Sequence, residues 1–327
     1  MRPKREERKQ NVNSGIATID TDKINTPIDK QCNNRNKYKG RFAPTPSGPL
    51  HFGSLITAIS GYLDARKNNG DWYLRIDDSD KYRVKKNAIS SIIKTIAAHG
   101  FEWDGDILYQ SDSSEKYLDI KYKLLNNKAI YGCMCSRNDL KQNKIGLNGP
   151  IYDSKCRNKK ITGEKSYRIV TTSNIIHFED QLQGSQRCDV KKDIGDFIVW
   201  RKDKIISYHL ATVIDDNSLG INHIVRGKDL LNSTFCQIFL QKNLGLTSPH
   251  YCHIPLALDN ENNKISKSIG ADALDDGSPN KNLVKGLKIL KMTPDKGLES
   301  ESLKTIWSWA MNHWDIDRLA GLKFLKI

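Results

Sequence analysis

The sequence predicts an α/β protein with a doubly wound, Rossmann-type parallel sheet, an inserted subdomain and a short helical C-terminal part. Three observations lead to this prediction. Strand and helix patterns alternate over residues 38–109 and return over residues 204–270, as in doubly wound folds. The intervening residues 110–203 are turn-rich and contain clustered cysteines. Residues 271–327 carry only helical patterns.

Composition indicates a large globular protein with a polyanionic partner. The 327 residues allow about two domains and a sizeable core. Lys and Arg number 52 against 38 Asp and Glu, which gives a net charge of +14 and a pI near 9.3. This excess suits nucleic acid, although a surface of solvated lysines gives the same count.

The sequence contains no targeting or membrane-spanning pattern, so the cytoplasm is the expected location. No apolar run approaches the roughly 20 residues that cross a bilayer. The N-terminus lacks the hydrophobic segment of a secretory signal. Residues 1–37 are polar and charged with few aromatic side chains, and they are predicted to be a disordered extension.

The most distinctive stretch, residues 41–54, reads RFAPTPSGPLHFGS. Its prolines and glycines predict a stiff turn between a strand at residues 38–43 and a helix that continues to residue 63. A helix N-terminus after such a turn presents free backbone N–H groups to an anion. His51 and Ser54 fall at that N-terminus; the alternative is a tight turn with a buried histidine.

An acidic run follows the second predicted strand. The strand covers residues 71–76, the run is Asp77-Asp78-Ser79-Asp80, and a helix is predicted at residues 84–99. In a parallel sheet the run and the proline-rich turn meet at the carboxyl edge, where ligands bind. Carboxylates there suit an ammonium group or magnesium, although solvated acidic loops are common.

The inserted region has the cysteine spacing of a metal site. Cys133 and Cys135 are two residues apart, and Cys156 follows twenty-one residues after Cys135. Three thiolates suit tetrahedral zinc and leave one ligand to find. The candidates for it are Tyr152, Asp153 and His177. The alternative is three ordinary buried thiols.

The alternation of strand and helix patterns returns in residues 204–270. Residues 204–214 predict a strand or a strand-to-helix passage, residues 220–226 a strand, residues 229–244 a helix and residues 251–258 a buried strand. The loop at residues 259–268 has two lysines and two serines, which suit a polyphosphate, although it also reads as a solvated surface loop. The helical patterns of the last part lie at residues 280–291 and 300–314.

Two separated motifs together indicate a family. The proline-rich HxG turn at residues 44–54 and the Lys-x-Ser-Lys-Ser loop at residues 264–268 resemble the ATP-binding signatures of class I aminoacyl-tRNA synthetases. Residues 41–48, RFAPTPSG, are similar to the glutamate/glutamine-specific branch of that class. So are RIDDSD at residues 75–80 and IVRGKDL at residues 224–230. The resemblance covers about residues 38–290.

The resemblance implies a site for each reactant. ATP, with Mg²⁺, is implied to contact Pro44, His51, Gly53, Ser54, Lys264, Ser266, Lys267 and Ser268. His51 and Lys267 are the implied catalytic residues. Glutamate is implied to contact Arg41, Phe42, Ala43, Pro44, Thr45, Asp77, Tyr208 and Arg226. One structural zinc per chain is implied, on Cys133, Cys135, Tyr152 and Cys156.

Two residues depart from the family pattern, and one question stays open. Asp77 stands where the family usually has glutamate, and Thr45 where it usually has serine. Both keep the functional group, so activity is expected to survive with a changed affinity. Which arginine contacts the glutamate side chain is left open by the sequence.

The short segment after the Lys-x-Ser-Lys-Ser loop favours a subfamily that is shorter than the full synthetases of this branch. Residues 269–327 are too few for an anticodon-binding domain, and the turn reads His51-Phe52-Gly53-Ser54 as in that subfamily. The resemblance implies a monomer that activates glutamate with ATP without tRNA. It then esterifies the glutamate onto queuosine at the wobble position of tRNA(Asp). The alternatives are a truncated synthetase that charges a tRNA 3′ end and an inactive zinc-containing tRNA-binding protein.

Overall fold

A computed structural model describes residues 37–258 and 273–326. Its strands are β1 (Lys39–Phe42), β2 (Asp71–Ile76), β3 (Leu108–Tyr109), β4 (Ile130–Cys133), β5 (Ile145–Gly146), β6 (Gly149–Pro150), β7 (Ser166–Ile169), β8 (Ile175–Asp180), β9 (Gly184–Asp189), β10 (Ile198–Trp200), β11 (His223–Gly227), β12 (His250–Ile254), β13 (Leu256–Leu258) and β14 (Phe324–Lys326). Its α-helices are α1 (Phe52–Lys67), α2 (Ala88–Ala98), α3 (Ser114–Asn126), α4 (Val190–Asp193), α5 (Tyr208–Leu219), α6 (Leu231–Leu244), α7 (Pro279–Ile289) and α8 (Leu303–His313).

Two groups of parallel strands carry the fold. In the first, β1 pairs with β2 and β2 with β3; in the second, β11 pairs with β12 and β12 with β8. The inner strands β1 and β11 meet at Asn222, whose N–H donates to the Lys39 carbonyl at 3.1 Å. The Asn222 side-chain oxygen accepts from the Lys39 N–H at 2.7 Å. The predicted α/β fold with a parallel sheet is confirmed.

The inserted region contributes an antiparallel sheet of its own and a hairpin that extends the β11–β12 group. β4, β7 and β10 form an antiparallel sheet, with β7 in the middle. The hairpin of β8 and β9 instead lies against β12, where β8 pairs in parallel through Tyr251 and Asp180. Residues from this region therefore reach the sheet that carries the second half of the fold.

The sequence predicts a strand or a strand-to-helix passage over residues 204–214, and the structure shows the passage: Ile206 forms a β-bridge with Trp200, and helix α5 begins at Tyr208. Ser207 caps the helix, and its side chain accepts from the Leu210 N–H at 3.4 Å. Leu210 to Asp216 are all buried, so the apolar run reflects a helix covered on all sides. The helix predicted from residue 84 begins at Ala88, since Asn87 adopts a left-handed conformation with φ of 62°.

The C-terminal helices pack on helix α1. Ile59 of α1, Leu287 of α7 and Trp307 of α8 belong to one buried apolar cluster with Trp72 of β2. A Cβ at Gly286 would lie 2.7 Å from Ile59 Cδ1, so any larger residue there would require the Ile59 side chain to shift. The predicted helical C-terminal part thus supports the helix that follows the proline-rich turn.

The polar extension predicted for residues 1–37 lies outside the described residues, apart from Lys37. The same holds for the loop at residues 259–268, which has no described residue. None of the described helices has the length and apolar character needed to cross a membrane.

Candidate active site and cysteine cluster

A cavity of about 460 Å³ opens at the carboxyl ends of strands β1, β2, β11 and β12. We call it the amino-acid cleft. All the residues predicted to contact glutamate line it: Arg41, Phe42, Ala43, Pro44, Thr45, Asp77, Tyr208 and Arg226. So do four of the predicted ATP contacts, namely Pro44, His51, Gly53 and Ser54. The other four, Lys264, Ser266, Lys267 and Ser268, lie outside the described residues.

The proline-rich turn places His51 at the start of helix α1. His51 is the N-cap residue, and its Nδ1 accepts from the Ser54 N–H at 3.3 Å. Ser54 Oγ lies 3.1 Å from His51 Nε2. Gly53 and Ser54 thus form the first turn of a helix whose N-terminus faces the cleft, a favourable position for a phosphate group.

Asp77 is brought beside the turn by the backbone. Its N–H donates to the Pro44 carbonyl at 3.0 Å, which joins the ends of β1 and β2. The Asp77 carboxylate accepts from Arg75 Nε at 2.7 Å. The acid at residue 77 therefore shares one wall of the cleft with residues 41–45.

Two arginines and two aspartates form a buried network behind that wall. Arg75 Nη1 donates to Asp216 Oδ1 at 2.6 Å, while its Nε contacts Asp77. Arg41 contacts both Asp216 oxygens, through Nε at 3.2 Å and Nη2 at 3.3 Å. All four side chains are at most 5% exposed, so each charge depends on its partners for stabilisation.

The network has opposite effects on its two carboxyl groups. Burial raises the pKa of Asp77 to about 6, against the lowering effect of Arg75. Asp216 is equally buried, but Arg41 and Arg75 together hold its pKa below the usual range. The Asp77 carboxyl therefore has a higher pKa than an ordinary aspartate, whereas that of Asp216 is lower.

Arg75 and Asp216 are site residues that the sequence reasoning missed. Arg75 lies inside a buried strand, where an arginine is rare unless it is paired. Asp216 and its neighbour Asp215 follow an apolar run and look like the end of a strand. A charged residue within each apolar segment was the available signal.

Arg226 extends from β11 into the cleft and is held on two sides. Its Nη2 donates to Thr234 Oγ1 at 2.7 Å and to Gln237 Oε1 at 2.8 Å. Its Nε donates to His253 Nε2 at 3.0 Å. Nη1 is buried and has no hydrogen-bond partner among residues 37–258 and 273–326.

The predicted zinc ligands lie together in the cysteine cluster, formed by Cys133, Cys135, Tyr152 and Cys156. The three sulfur atoms lie within 4.8 Å of one another. The Tyr152 hydroxyl is 3.4 Å from the sulfurs of Cys133 and Cys135. A tetrahedral zinc with Zn–S bonds of about 2.3 Å separates its sulfurs by about 3.8 Å, so this donor set fits the ion.

The surroundings of the cysteine cluster also fit a metal bound by thiolates. Arg168 Nε donates to Cys133 Sγ at 3.2 Å, and its guanidinium lies 4.0 Å from the Tyr152 ring centre. A fixed cation there offsets the charge of three thiolates. Of the other two candidates for the fourth ligand, Asp153 accepts from the Lys155 N–H at 3.4 Å, and His177 lies on strand β8, where its Nε2 contacts Ser185 Oγ at 2.7 Å.

A second, wider cavity of about 1180 Å³ adjoins the amino-acid cleft. We call it the wide cleft. Thr45, Asp77, Arg83 and Tyr208 line both cavities. Its basic lining residues are Arg83, Arg137, Arg201, Lys202 and Lys204. Several of these come from the inserted region, so that region forms one side of the wide cleft.

Comparison with known proteins agrees with this geometry. The family described as tRNA synthetases class I (E and Q), catalytic domain, matches residues 37–306. The glutamate-tRNA synthetase of Elizabethkingia anophelis shares the fold, with a TM-score of 0.73 at 21% identity over 89% of this chain and 68% of that one. The fold and the site thus define a class I aminoacyl-tRNA synthetase catalytic domain.

Sequence relatives narrow the class to one family. The glutamyl-Q tRNA(Asp) synthetase of Methylococcus capsulatus is 41% identical over 86% of this chain and 93% of its own length. The proteins of that name from Dechloromonas aromatica and Neisseria gonorrhoeae are each 39% identical over 86% of this chain. The chain therefore belongs to the glutamyl-Q tRNA(Asp) synthetase family, and it is a ligase.

Proposed function

We propose that the protein activates L-glutamate with ATP in the absence of tRNA and transfers it to queuosine at the wobble position of tRNA(Asp). The observation that carries the proposal is the amino-acid cleft. It brings two arginines and an acid to the start of a helix that follows a proline-rich turn. The names of the relatives support the acceptor, because they specify glutamate, Q and tRNA(Asp).

Glutamate offers groups that complement the cleft. Its ammonium pairs with Asp77, and its two carboxylates have Arg41 and Arg226 available within one cavity. A guanidinium can hold a carboxylate with two parallel hydrogen bonds. Tyr208 completes the pocket, together with the backbone of residues 42–45.

Activation joins a glutamate carboxylate oxygen to the α-phosphorus of ATP and expels pyrophosphate. Negative charge grows on the phosphate oxygens, so positioned donors and cations supply most of the catalysis. We assign the N-terminus of α1 with His51 to the phosphates and Lys267 to the developing charge. Lys264 is a second cation, Ser266 and Ser268 are further contacts, and Mg²⁺ accompanies the phosphates.

Transfer completes the reaction. A hydroxyl of the queuosine cyclopentenediol attacks the activated carbonyl, and an ester bond forms. The bond between the carbonyl carbon and the phosphate oxygen breaks, and AMP leaves with the hydroxyl proton on its phosphate. We infer that the wide cleft receives the acceptor nucleoside, because it adjoins the amino-acid cleft at Thr45, Asp77 and Tyr208. Its basic rim and the net charge of +14 suit tRNA.

We propose a structural role for one zinc ion in the inserted, acceptor-binding region of residues 110–203. Cys133, Cys135, Tyr152 and Cys156 would hold it and leave no open coordination position. It would fix β4 relative to the loop that contains Cys156. We expect the enzyme to act as a monomer in the cytoplasm.

Pyrophosphate exchange tests the activation step. The purified protein should exchange labelled pyrophosphate into ATP only when glutamate is present, and it should do so with no tRNA. Lys267→Ala should reduce the rate by about 10²- to 10³-fold, because it removes a cation from the transition state. The matched control, Lys304→Ala on the exposed face of α8, should stay within about twofold of wild type.

Two results would contradict the proposal. Exchange that requires tRNA would favour the truncated synthetase that charges a 3′ end. No exchange under any condition would favour a tRNA-binding protein without catalysis.

A further inference from the structure

A buried chain of three side chains leads from the inserted region to the amino-acid cleft. Asp180, at the end of β8, accepts from His253 Nδ1 with its Oδ2 at 2.5 Å. His253, on β12, accepts from Arg226 Nε with its Nε2 at 3.0 Å. Asp180 and His253 are completely shielded from solvent, and Arg226 is 4% exposed.

The contacts fix the protonation of the imidazole. Arginine is always a donor, so His253 Nε2 must present its lone pair to Arg226. The single ring hydrogen then lies on Nδ1, where the Asp180 carboxylate accepts it. Burial and the nearby Arg226 charge lower the pKa of His253 to about 4, so the ring stays neutral at physiological pH.

Asp180 is itself held in one orientation. Its Oδ1 accepts from three backbone N–H groups, those of Leu182 at 3.2 Å, Gln183 at 3.0 Å and His253 at 3.1 Å. Only Oδ2 remains for the imidazole. The carboxylate therefore selects the hydrogen position on His253 and, through it, the direction of the Arg226 guanidinium.

One donor atom of Arg226 has no hydrogen-bond partner among the described residues. Nε and Nη2 are occupied by His253, Thr234 and Gln237, whereas Nη1 lacks a partner in the described part of the chain and belongs to a residue lining the cleft. A buried, unpartnered guanidinium donor is costly unless a ligand accepts from it.

We propose that Asp180 and His253 are positioning residues that aim Arg226 at a carboxylate of the amino-acid substrate by holding His253 in its Nδ1–H form. This inference rests on the proposed use of glutamate. It also gives the inserted region a part in amino-acid binding, through the strand that adds to the parallel sheet.

Asp180→Asn separates this role from simple packing. The amide oxygen takes the position of Oδ1, because that position faces three N–H donors. The amide NH₂ then faces His253 Nδ1 and forces the ring hydrogen to Nε2, where it opposes the Arg226 Nε–H. The KM for glutamate should rise about 10- to 100-fold, while the KM for ATP stays within about threefold.

Two further measurements make the test specific. Nitrogen chemical shifts of His253 should report Nδ1–H in the wild type and Nε2–H in Asp180→Asn, independently of catalysis. In an Arg226→Lys background, which has no Nε–H in that position, Asp180→Asn should change the KM for glutamate by less than about twofold. Asp64→Asn, which changes another buried carboxylate that accepts from Tyr38 and Trp314, is the control and should leave the KM for glutamate unchanged.

The possible outcomes are distinct. A folded Asp180→Asn variant with an unchanged KM for glutamate, or an unchanged histidine tautomer, would overturn the inference. So would equal increases in the KM for glutamate and for ATP. If Asp180→Asn does not fold, His253→Asn, which keeps a donor to Asp180 and removes the acceptor for Arg226, must raise the KM for glutamate. A wild type with the Nδ1–H form but no glutamate-dependent exchange would refute the proposed function alone.

Discussion

The amino-acid cleft and the cysteine cluster gather polar groups in opposite ways. In the cleft, Arg41, Arg75, Asp77 and Asp216 neutralise one another, and donors are left over for a ligand. In the cysteine cluster, three sulfurs and a hydroxyl converge on one point, within 4.8 Å for the sulfurs. The first arrangement suits a substrate with charged groups; the second could hold a metal ion. Changes in the two regions should therefore have separable effects.

The largest effect is expected from breaking the network of the cleft. Arg75→Met leaves Asp77 and Asp216 without their shared cation in a fully buried position. Removing one partner from a buried ion pair costs about 3–5 kcal/mol, so urea unfolding should show a loss of this size. Glutamate-dependent exchange should fall below detection.

The matched control for this change is a partly exposed pair. Arg66 contacts Asp104 at 2.8 Å, with side chains 20% and 35% exposed. Arg66→Met should cost about 1 kcal/mol or less. Equal losses for the two variants would mean that the network of the cleft has no special energetic role.

Acid pH should weaken the binding of glutamate in the amino-acid cleft, because Asp77 becomes protonated. Burial raises the pKa of this carboxyl to about 6, so below that pH it gains a proton and loses its attraction for the substrate ammonium. In the pyrophosphate exchange assay, kcat/KM for glutamate should be constant above pH 7 and should fall about tenfold per pH unit below pH 6. Asp77→Asn should give a low and level profile. A level profile down to pH 5 in the wild type would show that Asp77 does not hold the ammonium as a carboxylate.

The smallest effect on catalysis is expected from the cysteine cluster. Cys135→Ser should reduce the zinc content from about one ion per chain, because it removes a thiolate that faces the other ligands. Exchange without tRNA should stay within about threefold of wild type, since none of these ligands lines the amino-acid cleft. Elemental analysis and exchange assays on the same preparation measure both quantities.

Cys188→Ser, a lone buried thiol, is the control and should retain the zinc. Absence of zinc from the wild type would refute the metal site. A parallel loss of zinc and exchange would show that the two regions are not separable.

Short sequence patterns predicted those parts of the amino-acid cleft and of the cysteine cluster whose residues are close together in the chain. The turn at residues 41–54, the acid at residue 77 and the cysteine spacing each lie within a short stretch. The resemblance to a known family added Tyr208 and Arg226, which also line the cleft. Hydrophobic periodicity also predicted the order of the strands and helices over residues 38–99 and 220–258, but none of those in the inserted region.

The buried pairs could not be predicted, because their partners are distant in the sequence. Arg75 and Asp216 are 141 residues apart, and Asp180 and His253 are 73 residues apart. Each arginine or histidine looks like an isolated polar residue in an apolar strand until the fold brings its carboxylate to it. The sequence could not decide between a strand and a helix for residues 208–214, because burial on all sides removes the helical periodicity.

Transfer to the acceptor tests the central proposal most directly. Labelled glutamate and ATP are presented with tRNA(Asp) that contains queuosine and with the same tRNA lacking it, and nuclease digestion then locates the label. The proposal predicts label only on the queuosine-containing tRNA, within the anticodon fragment. Label on the 3′-terminal adenosine, or equal labelling of both tRNAs, would contradict it.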